Sequence, residues 1–171
     1  TATKGGSGDG GNTGAGTDRS GYNYAITGSP IDGLNVGVGY GTEEDSGTAA
    51  ANKQDDTYTT GFATYAVGGL TIGYQKSEGN GGTTATNSNI VDIMGASFNI
   101  NDSLAISVNS MENEFDKPSG TNVTEETDGI GVSYTLGSAS IRMLRAETTN
   151  VGGVSTAKDV EHTEVSLMLS F

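Results

Sequence analysis

Asp92, Arg142, Arg145 and Glu164 are charged side chains set inside otherwise apolar or small-residue stretches, "IVDIMGASF", "SIRMLRAE" and "HTEVSLML". Charges placed this way can line a watery passage, where their field acts on passing ions, and these four are candidate pore-lining residues. Little else in the chain offers chemistry. His162 is the single histidine and there is no cysteine, which argues against a zinc site. No nucleophile, base and orienting group can be assembled around it, so the sequence reads as a non-enzyme. The segment "GSGDGG" puts Gly6, Gly8 and Gly11 at G-x-G-x-x-G spacing, but no strand leads in and no helix leads out to present amides to a phosphate. It also lacks the acidic residue and the repetition of a calcium-binding β-roll. The acidic sets Glu43, Glu44, Asp45 and Glu112, Glu114, Asp116 fall in polar stretches read as loops. Oxygen-rich loops of this kind suit loosely held Ca²⁺ or Mg²⁺, and no other cofactor is implied.

The elements that must carry these residues follow from the hydrophobic rhythm. Mean hydropathy is −0.34, and no apolar run approaches the roughly 20 residues of a membrane-spanning helix. With 21 acidic and 8 basic side chains the formal charge is −13, which repels nucleic acid phosphates and favours cations as counterparts. Apolar residues instead recur at every second position, as in Leu34, Val36, Val38, Tyr40 and in Ile130, Val132, Tyr134. Period two means strand. A two-residue turn at Gly68-Gly69 sets Val67 opposite Leu70 and puts both apolar sets on one face of a hairpin. Gly137-Ser138 does the same for Leu136 and Ala139, and a three-residue turn at Asn101-Asp102-Ser103 joins Ile100 to Leu104. The other strand ends are joined by polar stretches such as "GTEEDSGTAAANKQDD" and "MENEFDKPSGTNVTEE", about 11 to 16 residues long, against a median of about 4 to 6 in compact domains. About nine strands result, near residues 21–28, 33–43, 57–67, 70–77, 89–100, 104–112, 127–136, 139–148 and 160–171. Short turns at one end and long loops at the other match the periplasmic and extracellular ends of a transmembrane β-barrel.

The final stretch "HTEVSLMLSF" sends Val165, Leu167, Leu169 and Phe171 to one side and Glu164, Ser166, Met168 and Ser170 to the other. A lipid face and a lumen face are thereby specified. These four apolar residues resemble the C-terminal signature of Gram-negative outer-membrane proteins. With "GASFNINDSLAISV" and "GLTIGY", the chain is similar to the C-terminal part of a general diffusion porin of the alphaproteobacterial type. The resemblance implies an all-β, antiparallel barrel of about 16 strands, of which about seven would precede this sequence, residues 1–20 being a Gly-rich extracellular loop or truncated start and 21–171 the barrel strands. It implies a homotrimer in the outer membrane, contacts with lipid and lipopolysaccharide, and recognition of Val165, Leu167, Leu169 and Phe171 by the barrel-assembly machinery. The function implied is a water-filled channel for passive diffusion of small hydrophilic solutes and ions. Alternating strands also fit a secreted or surface β-sandwich adhesin or structural module, although a sandwich has no reason to sort long loops to one end.

Two breaks in alternation bear on the charged residues. The apolar phase shifts between Ile93 and Ala96 and again between Met143 and Leu144. A β-bulge at each shift is expected to turn Asp92, Arg142 and Arg145 all into the lumen; without the second bulge Arg145 must reach for the headgroups. In the porins, a basic wall facing acidic groups on a constriction loop sets a transverse field, and the resemblance implies that role for Arg142 and Arg145.

Overall fold

The computed structural model describes residues 2–3, 21–44, 55–81, 88–117 and 120–170. Asp45, Phe171 and the Gly6-Gly8-Gly11 segment lie outside the described residues. The expected nine strands are present as β2 (Gly21–Ile31), β3 (Leu34–Glu43), β4 (Asp56–Val67), β5 (Leu70–Asn80), β6 (Ser88–Asn99), β7 (Leu104–Asp116), β8 (Val123–Leu136), β9 (Ala139–Thr149) and β10 (Val160–Leu169). A two-residue strand, β1 (Ala2–Thr3), is added to them, and one 3₁₀ turn, η1 (Val151–Gly153), follows β9. All ten strands form one antiparallel sheet in chain order.

The four hairpin turns stand where the turn chemistry requires them. Val67 pairs with Leu70 and Leu136 with Ala139, and Gly68 and Gly137 take up positive φ of 55° and 58°. At the β6–β7 turn the Leu104 carbonyl accepts from the Ile100 amide at 2.8 Å, while the Asn101 side chain accepts from the amides of Ser103 and Leu104, each at 2.9 Å. That side chain closes the turn in place of a glycine. A further turn at Asp32-Gly33 pairs Ile31 with Leu34. It lengthens β2 beyond the expected end at Gly28 through an irregularity at Ser29-Pro30, where proline removes one ladder donor.

Register runs without interruption from β3 to β10. Each strand therefore presents one mainly apolar and one mainly polar face along most of its length. One face carries Ile26, Val38, Tyr65, Ile72, Met94, Val108, Val132, Met143 and Leu167, all exposed, with Ile26 at 74% and Leu136 at 67%. The opposite face carries Thr, Ser, Asn and Gly at most positions, including Thr71, Ser97, Ser107, Ser133 and Ser166. Among the described residues no hydrophobic side chain is buried. A sheet that leaves its apolar face wholly uncovered has no core of its own, so its hydrophobic stabilisation must come from an apolar surrounding medium. This arrangement overturns the β-sandwich alternative, which needs a second sheet packed on the first.

Strands at the long-loop end extend past the expected boundaries. β7 continues to Asp116 and β8 begins at Val123. Apolar alternation stops there because the wall has left the apolar medium, whereas backbone pairing continues into water. Glu112, Glu114 and Asp116 thus lie in strand β7, not in a loop.

Candidate functional site: the inner face of the sheet

Two hollows draw most of their lining from the polar face, and with the apolar side set toward an apolar medium that face is the inner one. The first, about 450 Å³, is lined by Ser97, Asn99, Ser107, Ser133, Arg142, Glu164 and Ser166 among others. The second, about 610 Å³, includes Asn23, Gly39, Gly41, Tyr58, Thr60, Gln75, Ser77 and Asn89. Hydroxyls and amides link neighbouring strands across this face, as Thr60 with Ser77 at 2.9 Å, Thr127 with Thr148 at 2.9 Å and Thr135 with Ser140 at 3.1 Å. Glycines at Gly37, Gly39 and Gly41 leave β3 nearly bare on the same side, and the Phe62 ring crosses Gly37 where any side chain would collide.

The charged residues divide between the two faces. Arg142 lies on the inner face, directly between Ser133 of β8 and Ser166 of β10, and makes no ion pair among the described residues. Glu164 is also on the inner face and lies 3.7 Å from His162 Nε2, two residues along the same strand. Glu43 and Asp56, a register pair, stand on this face at the long-loop end.

Neither expected bulge forms. Asp92 pairs straight across with Lys76 and Glu112, and Arg145 with Ile130 and Thr163. Unbroken register holds Asp92 on the side of Met94 and Arg145 on the side of Met143, so both point outward with the apolar residues and not into the lumen. Their charge is met locally. Asp92 accepts from Tyr74 Oη and pairs with Lys76 Nζ at 2.9 Å; Arg145 pairs with Glu161 at 3.1 Å. The apparent phase shifts in the sequence arise because Val91, Ile93 and Leu144 occupy inner positions, which adds apolar residues to the polar face without moving the ladder.

The outward face is layered. On β8, Ile130, Val132, Tyr134 and Leu136 cover about 20 Å of strand, approaching the apolar band of about 25 Å on membrane barrels. Tyr22, Tyr24 and Tyr40 cluster toward the long-loop end, with ring centroids 5.3 Å and 6.4 Å apart. Tyr65, Phe98 and Tyr134 lie toward the turn end. Above the band the outward positions become acidic: Asp92, Glu112 and Glu126 sit abreast on β6–β8, and Asp128, Glu147 and Glu161 abreast on β8–β10. Among the described residues no group of three such side chains is arranged to hold a metal ion. Glu44 follows β3 as an exposed residue. Val165, Leu167 and Leu169 all face outward at 58–63% exposure.

Sequence reasoning missed Glu125, Phe115 and Lys117. Glu125 and Phe115 are inner-face residues of β8 and β7, and all three contact the β9–β10 connection. The signal was the Gly152-Gly153 pair after Asn150, which can reverse the chain inward.

An antiparallel sheet in chain order, apolar outside, hydrophilic within, girdled by aromatics and with its short turns at one end, has the fold of a Gram-negative outer-membrane β-barrel. Solved structures that match it include outer-membrane expressed OmpT of Vibrio cholerae and OmpT folded in vitro, an outer membrane protein of the same organism. Each has a TM-score of 0.61 and 15% sequence identity over 88% of this chain, covering 54% and 53% of the other. At that identity the likeness is one of fold, and the chain spans about half the length of these structures. No protein-family model and no curated protein sequence matches the chain.

Proposed function

We propose that this chain forms part of the wall of a water-filled outer-membrane pore through which small hydrophilic solutes and ions diffuse passively, in the manner of a porin. The observation that carries this reading is the continuous inner face of hydroxyls, amides and bare glycine backbone, which offers water hydrogen bonds along the wall. The mechanism is size exclusion modified by the lumen charges, without a chemical step. Arg142 and Glu164 are the pore-lining charges of this segment, and the acids at the long-loop end, Glu43 and Asp56, draw cations to the mouth. The backbone edge of β10 requires a further strand in lipid, because unpaired amides and carbonyls are costly there. The rest of the barrel wall supplies it, in a homotrimer whose subunits are assembled by machinery reading Val165, Leu167, Leu169 and Phe171. Lipopolysaccharide phosphates, bridged by Ca²⁺ or Mg²⁺, are the outward counterpart of the acidic positions above the apolar band.

The test is conductance of the full-length protein in planar bilayers, together with swelling of proteoliposomes in small sugars. Stepwise conductance increments and swelling rates that fall with solute size are expected. A correctly folded protein that leaves bilayers sealed and liposomes unswollen would remove the pore reading.

A further inference from the structure

The connection between β9 and β10, residues 150–159, turns back over the inner side of the wall instead of standing clear of it. Asn150 takes a left-handed conformation at φ 50°, and Gly152 and Gly153 follow at 68° and 69°. Three such residues within four positions reverse the chain sharply, and two of them are glycines, for which the conformation carries no steric penalty. The reversed segment is held at defined points. Asn150 Nδ2 donates to the Thr124 carbonyl at 2.9 Å, the Gly152 amide donates to Glu125 Oε2 at 2.5 Å, and Lys117 Nζ donates to the Gly153 carbonyl at 3.0 Å. Gly153 is buried against the Phe115 ring, where a Cβ would come within 2.6 Å of a ring carbon. Phe115 and Glu125 are inner-face positions, alternating with the outward Glu114 and Glu126. A segment fastened to those two side chains therefore lies over the lumen at the long-loop end.

We infer that the β9–β10 connection is an inward-latched lip that narrows the mouth of the pore, with Glu125, Lys117 and Phe115 as its catch. The inference rests on the pore reading for its consequence, though not for its geometry. A carboxylate receiving a backbone amide and an ammonium donating to a carbonyl are charge-assisted bonds, about twice as strong as neutral ones. Their loss shifts the local opening equilibrium without touching any strand pairing.

Lys158 lies within the same connection, so trypsin cleavage after it reports opening. In the full-length protein reconstituted in detergent, the double variant Glu125→Ala, Lys117→Met is expected to be cut there faster than the parent by about tenfold or more, tenfold being the change that loss of either one of its two charge-assisted bonds produces. Single-channel conductance is expected to rise in parallel. Gly152→Pro attacks the catch from the loop side: it removes the donated N–H and cannot adopt φ 68°, and it leaves β7 and β8 unaltered. Equal cleavage of parent and both variants would overturn the latch. Faster cleavage at unchanged conductance would overturn its place in the permeation path. A parent protein with no conductance at all would end the pore reading, and the cleavage ratio would then decide the latch by itself.

Discussion

Arg142 and Arg145 are three residues apart and play opposite parts, because odd spacing along a strand sends them to opposite faces. Arg142 has serines on both sides and lies on the inner face; Arg145 faces outward and pairs with Glu161. Replacing Arg142 with glutamate changes the wall by two charge units, and low-dielectric walls focus that field on the lumen. Cation preference, read as the reversal potential under a salt gradient, is expected to rise at low salt and to fade near 1 M, where the Debye length is about 3 Å. Arg145→Glu should leave ion selectivity where it was. It sets a new carboxylate beside Glu147 and Glu161, so the yield of folded protein should drop. Equal selectivity shifts from the two variants would mean that both arginines line the lumen after all.

Strand β9 illustrates how far an element's backbone governs its side chains. The mixed run Met143-Leu144-Arg145 invites a bulge when read for its apolar phase, yet ten successive pairs to β10 and eleven to β8 leave no room for an extra residue. Breaking that ladder would strand amides in hydrocarbon, a larger loss than one apolar side chain on the wet face. Met143 is therefore on the outward, apolar face and Leu144 on the inner one. Met143→Arg should destabilise the folded protein in vesicles by about 2–4 kcal/mol if it lies near the bilayer midplane, and Leu144→Arg by far less. Urea titrations of both variants would check this, and the reverse order would restore the bulge.

At the scale of the whole molecule, the described part of the chain is a wall without an interior. Its outward acids stand directly opposite one another on adjacent strands, an arrangement that is unfavourable unless counter-ions intervene, and the net charge of −13 works in the same direction. Millimolar Mg²⁺ or Ca²⁺ is therefore expected to raise the melting temperature of the protein in lipopolysaccharide-containing bilayers, and chelator to lower it again. A melting temperature indifferent to both would leave the outward acids as merely hydrated.

The nine longer strands, three of the four hairpin turns and the sorting of long connections to one end were legible from residues 21 to 171, because period-two alternation and turn residues are local signals. The lipid-facing side was legible for the same reason: Leu34, Val36 and Val38 declare it without reference to any other strand. Four features were decided only by the tertiary structure. The outward placement of Asp92 and Arg145 depends on ladder continuity across neighbouring strands. The extension of β7 and β8 into polar sequence depends on pairing between segments that show no apolar rhythm. The meeting of Glu125, Lys117 and Phe115 with Gly152 and Gly153 joins residues 27 to 38 positions apart. The abreast rows of acids join three strands at once. Each arises from contacts between distant parts of the chain, and alternation along a single strand carries no information about its partner's register.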